Sequence, residues 1–167
     1  MNNNSDKNVE RVCMIKVFFL FALLLATNGI FAQTEVRTEK FDPARNSFDD
    51  LKAAVELANK SNKRIILDVG GEWCIWCHRI DAFMHGTEEI KTLLDKNFIV
   101  LKINYSKENK NEKFLSQYPA IEGYPHFFVL DKNGNLLHSQ NTGDLEKDKD
   151  YDIDKFLAFL NKWKAIE

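Results

Sequence analysis

The stretch "RIILDVGGEWCIWCHR", Arg64 to Arg79, changes character twice. It opens as a compact apolar run of strand type, "RIILDVG", interrupted only by Asp68. Gly70 and Gly71 end that run, because glycine pairs punctuate regular structure. A helical pattern, "CIWCHRIDAFM", starts near Cys74. Cys74 is therefore expected at a helix N-terminus, just past the C-terminal end of a strand. Backbone N–H groups lack helical partners there. They favour a thiolate and lower the cysteine pKa. Cys77 follows about one helical turn later on the same face, within reach of disulfide geometry.

Several chemistries use such a cluster. A redox protein cycles the pair: Cys74 attacks a substrate disulfide, and Cys77 then attacks Cys74 and releases the substrate thiol. "CIWCH" also satisfies the Cys-x-x-Cys-His signature of covalent haem c attachment. Haem would further need an axial position and a surrounding pocket, whereas strand patterning flanks this motif on both sides. Zinc could use both cysteines and a histidine, but closed zinc sites take four ligands, often from two separated pairs. No second cysteine pair exists, and His85, His126 and His138 are scattered. A noncatalytic binding module with a structural disulfide is the remaining alternative.

Asp68 admits two readings. A strand carboxylate can reach solvent, or it can lie buried behind the cysteines. Burial would raise its pKa and suit it to relay a proton to or from Cys77. Trp73 and Trp76, beside an exposed pair, are candidates for an apolar surface that docks extended substrate. His78, when protonated, would stabilise a nearby thiolate.

Outward from this stretch, "SFDDLKAAVELANKS" has helical spacing, with Ser47 as the expected cap and Asp50 three positions on. "FIVLKIN", Phe98 to Asn104, reads as a second strand, and "TEEIKTLLDK" before it as a helix capped by Thr87. A short helix is expected over Glu112 to Gln117. "HFFVLDKNGNLLHS" is a hairpin turning at Lys132, Asn133 and Gly134, because Asn-Gly favours that turn. "EKDKDYDID" reads as a solvated charged loop. In "YDIDKFLAFLNKWKAI", Ile153, Phe156, Leu157, Leu160 and Trp163 fall at helical spacing, which predicts a last helix with Asp152 as its cap. Helices that alternate with strands predict an α/β fold with a central mixed sheet flanked by helices.

The N-terminus is different. Lys16 precedes an apolar core from Val17 to Ala26, and small residues follow to Ala32. That is the layout of a secretory signal peptide over residues 1–32, cleaved after Ala32. The apolar core is shorter than the roughly 20 residues that span a bilayer. Met14 is an alternative start. Residues 33–46 form a polar lead-in, and 47–167 one domain. Cleavage removes Cys13 and leaves Cys74 and Cys77, too few for a disulfide-dense scaffold. The net charge of −2 and the absence of a basic run give a polyanion-binding surface no electrostatic support, so no nucleic-acid partner is expected.

"ILDVGGEWCIWC" resembles the thioredoxin superfamily, in which a strand with a buried Asp runs into Trp-Cys-x-x-Cys. "IEGYPHFFVLDKNGNLL" is similar to the segment that leads into the last hairpin of that fold. The resemblance covers about residues 47–165. It implies a thioredoxin-like fold, with Asp68 as the buried acid, Cys74 as the attacking cysteine and Cys77 as the resolving one. It implies that Pro125 is the cis-proline facing the pair, and that Tyr124 and Pro125 shape a substrate groove. Gly143 resembles the glycine before the final helix. Ile75 and Trp76 replace the usual Gly-Pro between the cysteines, and this dipeptide tunes reduction potential. The implied activity is thiol–disulfide exchange on protein substrates, as reductase or isomerase, outside the cytoplasm. No cofactor and no metal are implied. A redox partner protein is, and the chain is expected to act as a monomer.

Overall fold

Strand β1 (Arg64–Gly70) is the axis of the fold. All but its first residue are buried, which explains its unbroken apolar run. It pairs in parallel with β2 (Phe98–Asn104) and antiparallel with β3 (His126–Leu130). Strand β4 (Leu136–Asn141) pairs antiparallel with β3, giving the order β2-β1-β3-β4. The parallel register sets Asp68 opposite Lys102 and Gly70 opposite Asn104. The computed structural model describes residues 40–165. The leader expected over residues 1–32 and the lead-in as far as residue 39 lie outside the described residues.

Helices cover both faces of this mixed sheet. On one side, α1 (Ser47–Ser61) and the short α4 (Glu112–Leu115) pack over Leu67, Val69, Leu101 and Phe128. On the other, α2 (Ile75–Gly86), α3 (Glu88–Asn97) and α5 (Ile153–Trp163) pack over Ile66, Phe127 and Val129. Alternation along each strand separates the two cores: Leu67 and Val69 face one, Ile66 and Asp68 the other. The expected α/β architecture is the one observed.

Local details differ in three places. Asn46, not Ser47, caps α1: its Oδ1 accepts from Phe48 N at 3.0 Å, and Ser47 is already helical and buried. Asn caps as well as Ser does, and here it holds the extended backbone that a cap requires. Helix α4 stops at Leu115, short of Gln117. The charged run after Leu145 is no plain loop. It folds into a small hairpin, β5 (Glu146–Lys147) with β6 (Asp150–Tyr151), turning at Asp148 in the left-handed region. Its one aromatic, Tyr151, is 6% exposed and packs against Trp76, Phe83 and Phe156. Burial of that ring outweighs the polar composition around it.

Thr87 stands at the start of α3 but makes no side-chain cap bond, and Gly143 lies in a 3-10 turn, Thr142–Leu145, separated from α5 by the small hairpin. Gly134 takes a φ of +88° at the turn before β4, with Asp131 Oδ1 accepting from Asn133 N and Asn135 N. Asp152 caps α5, accepting from Asp154 N at 2.9 Å and Lys155 N at 3.1 Å.

Candidate active site

Strand β1 delivers the chain to a short turn in which Cys74 N donates to Gly71 O at 3.0 Å. Cys74 then caps α2 in an extended conformation. It forms a disulfide with Cys77, with Cα atoms 5.2 Å apart. Cys77 N donates to Cys74 Sγ at 3.2 Å, so a helix N-terminal donor is aimed at that sulfur. Cys74 is 5% exposed and Cys77 not at all. A reactant sulfur can therefore approach the pair only from the Cys74 side.

Beneath Cys77 the backbone comes close because β1 ends in glycine. A Cβ at Gly70 would run into Cys77 Sγ. Asp68 lies two residues back on the same face of β1, fully buried, and neither carboxyl oxygen has a hydrogen-bond partner. Burial pushes its carboxyl up to about 7; Lys102 pulls it down and Asp81 pushes it up. Lys102 lies opposite Asp68 in register, with its ammonium 2.6 Å from Asp81 Oδ1 on α2. A carboxyl that changes charge near neutrality, on the strand face that a buried sulfur covers, can take up and return one proton.

The outer rim is aromatic. Trp73 is 59% exposed, yet its Nε1 donates to Tyr105 O at 2.6 Å. Its ring meets Tyr124 edge-on at 5.8 Å, and Tyr124 stacks on Tyr105 at 4.7 Å. Burial, with Tyr105 beside it, pushes the Tyr124 hydroxyl up to about 12, so it stays a neutral hydrogen-bonding group. Gly71 makes room for this rim, since a Cβ there would strike the Trp73 indole and Tyr105 O. The Tyr124–Pro125 peptide is cis, and Pro125 O accepts from Thr142 Oγ1 at 2.5 Å. Trp76 is placed differently from Trp73: it is partly buried, edge-on to Tyr151, with the Arg79 guanidinium 4.5 Å above its ring. Ile75 is 61% exposed beside Cys74. His78 is exposed, with Nε2 bonded to Glu72 O at 2.9 Å and 3.9 Å from Glu72 Oε2.

The structure thus gathers Asp68, Cys74, Cys77, Trp73 and Tyr124 at one end of β1. It adds four residues that reading the sequence did not select: Lys102, Asp81, Tyr105 and Phe41. Lys102 carried a legible signal. It is the fifth residue of "FIVLKIN" as Asp68 is the fifth of "RIILDVG", and two charges at matching positions of neighbouring strands face each other. Phe41 is the one apolar ring in a polar lead-in, and it packs on both cysteines. Asp81 and Tyr105 gave no local signal. Among the described residues, no group of three or more His, Cys, Asp or Glu is placed to hold a metal ion.

A thioredoxin-like family model matches residues 46–132, just over half of the chain. The chain belongs to the thioredoxin-like family. It is similar to the thiol:disulfide interchange protein DsbD of Yersinia pestis (strain Pestoides F), 26% identical over 165 residues, which covers 93% of this chain and 26% of that protein. It thus spans about a quarter of the length of that relative. Spermatogenesis-associated protein 20 of Mus musculus is 41% identical over 51 residues, 30% of this chain and 6% of that one. Among solved structures, a disulphide isomerase from Xylella fastidiosa Temecula1 superposes with a TM-score of 0.64 at 22% identity, covering 73% of this chain and 94% of that one. The C-terminal domain of Neisseria meningitidis DsbD in the reduced form gives 0.53 at 24%, covering 70% and 96%. At these identities the structural likeness is one of fold. A disulfide at Cys-x-x-Cys spacing in this fold is consistent with thiol–disulfide chemistry.

Proposed function

We propose that the protein exchanges thiols and disulfides with protein substrates outside the cytoplasm, as a reductase or isomerase. The observation that carries this reading is the geometry of the pair: Cys74 caps a helix and holds the pair's exposed surface, while Cys77 is buried against Gly70, two residues beyond the buried Asp68 on the same face of β1. In the reduced protein, Cys74 thiolate attacks a substrate disulfide. One substrate sulfur leaves as a thiolate, and a mixed disulfide forms. Asp68 carboxylate takes the proton of Cys77, whose sulfur attacks Cys74 Sγ and expels the second substrate thiolate. The substrate gains two electrons, and Cys74–Cys77 is the oxidised product. A thiol-bearing redox partner protein returns the pair to the dithiol. Trp73, Tyr124 and Pro125 line the approach to Cys74, and Ile75 adds exposed apolar surface there. His78 and Glu72 stand at the edge of the pair and adjust the charge around Cys74. Trp76, packed on Tyr151, contributes to substrate docking through its exposed part only.

Support for export comes from the Lys16-to-Ala32 pattern and from the relationship to thiol:disulfide interchange proteins. Insulin reduction with dithiothreitol tests the activity. Turnover that disappears in Cys74→Ser is the expected result; no turnover in the native protein would favour a noncatalytic module with a structural disulfide. Equilibration with glutathione tests the direction, and a potential near about −120 mV would point to an oxidase instead. A Soret band in the purified protein would move the reading to haem attachment at "CIWCH".

A further inference from the structure

The polar stretch "KFDPARN", residues 40–46, carries one buried ring ahead of α1. Phe41 is 2% exposed and packs with Cys74 and Cys77. The tip of its ring lies 3.1 to 3.3 Å from where a Cβ of Gly70 would stand, the same point that Cys77 Sγ crowds. The Lys102 ammonium sits 4.9 Å from the centre of the ring. One side chain therefore borders both the inner sulfur and the cation facing Asp68. Two bonds anchor the stretch: Phe41 N donates to Glu72 Oε1 at 2.9 Å, and Asn109 Nδ2 donates to Pro43 O at 2.9 Å. The family match begins at residue 46, so Phe41 and the rest of residues 40–45 lie before it.

We propose that Phe41 is a positioning residue of the exchange site: its ring closes the inner side of Cys77 and decides how much water reaches Cys77 and Asp68. The inference deepens the exchange reading and rests on it. The physical basis is solvation. A carboxyl in apolar surroundings keeps its proton, and water restores the anion. Removing the ring opens a space beside Cys77 and the Lys102 ammonium, polar enough for water to enter. The titratable groups that act on Asp68 are Lys102 of β2, Asp81 of α2 and Tyr151 of β6, and Cys77 of α2 stands over Gly70, two residues along the same face of β1. The ring is the apolar wall of that group.

The test uses the full chain in two measurements, neither of which needs turnover. Cys77 alkylation by iodoacetamide is timed in a Cys74→Ser background, and the Asp68 carboxyl is titrated by carbon NMR. Phe41→Ala is expected to speed alkylation on the order of tenfold and to lower the Asp68 midpoint by about one unit. Phe41→Leu, which keeps apolar bulk, should restore most of both. Glu72→Ala keeps the ring, cuts its backbone tether and leaves the core intact, and it should speed alkylation to an intermediate degree. A folded Phe41→Ala protein in which either quantity stays at its native value overturns the proposal. If Phe41→Ala does not fold, an unchanged alkylation rate in Glu72→Ala overturns it. Failure of the native protein to reduce insulin would instead sink the exchange reading, and the shielding would still be scored.

Discussion

Replacing Asp68 by Asn in the oxidised protein removes one titrating group from the core and leaves its shape nearly unchanged. Asp68 is fully buried, with no hydrogen-bond partner on either oxygen, and burial lifts its carboxyl from 3.8 to about 7. A carboxyl raised in this way keeps its proton in the folded chain after the unfolded chain has lost it. The folded state then binds more protons, so stability falls as pH rises between 3.8 and about 7. Below that window both states are protonated and nothing is lost. Above it the whole cost, about 4 kcal/mol, is present. Asn carries no charge at any pH. Its buried amide brings a penalty of about 1–3 kcal/mol, but one that does not vary with pH. Urea unfolding of both proteins at pH 5 and pH 8 isolates the effect, because the histidines cancel in the difference. Asp68→Asn should gain about 3 kcal/mol on the native protein between those two values. A difference that stays constant with pH would refute the raised carboxyl and with it the proton relay.

Four further outcomes are expected. Cys74→Ser should abolish insulin reduction, whereas Cys77→Ser should still attack and accumulate a mixed disulfide visible on a non-reducing gel; native turnover in Cys77→Ser would reverse the assigned roles. Lys102→Met should raise the Asp68 midpoint and Asp81→Asn should lower it, because the cation favours the Asp68 anion and the second carboxylate opposes it; carbon NMR titration reads both directions. Trp73→Ala removes a ring that is 59% exposed, and should raise KM for a protein disulfide about tenfold, with little change in the urea midpoint. Gly134→Ala must hold an L residue at a φ of +88° with its Cβ 3.1 Å from Val55 Cγ2, and should cost about 1–2 kcal/mol in urea unfolding.

Some of these residues could be found by eye and others could not, for reasons of distance along the chain. Gly70-Gly71 ends a strand and Cys74 begins a helix through interactions within a few residues, and such interactions are written locally. The same holds for Asp152 at the start of α5 and Gly134 at its turn. The charged run around Tyr151 misled because composition averages over neighbours, while one buried ring settles where the segment goes. Ser47 and Asn46 are both competent caps, so only the backbone angles of the folded chain choose between them.

What the amino-acid order determined by itself was the path of the chain through the cysteine pair. A buried strand, a glycine break and a helix start follow from local propensity and hydrophobic pattern, and they place Cys74 where helix N–H groups meet it. The tertiary structure decided the environment of that pair. Pairing of β1 with β2 brought Lys102 opposite Asp68, packing of α2 on the sheet brought Asp81 to Lys102, and the stretch before α1 brought Phe41 onto Cys77. These neighbours lie between 21 and 36 residues from the groups they meet. The charge of Asp68 and the shielding of Cys77 depend on solvation, and solvation is a property of everything packed around a group.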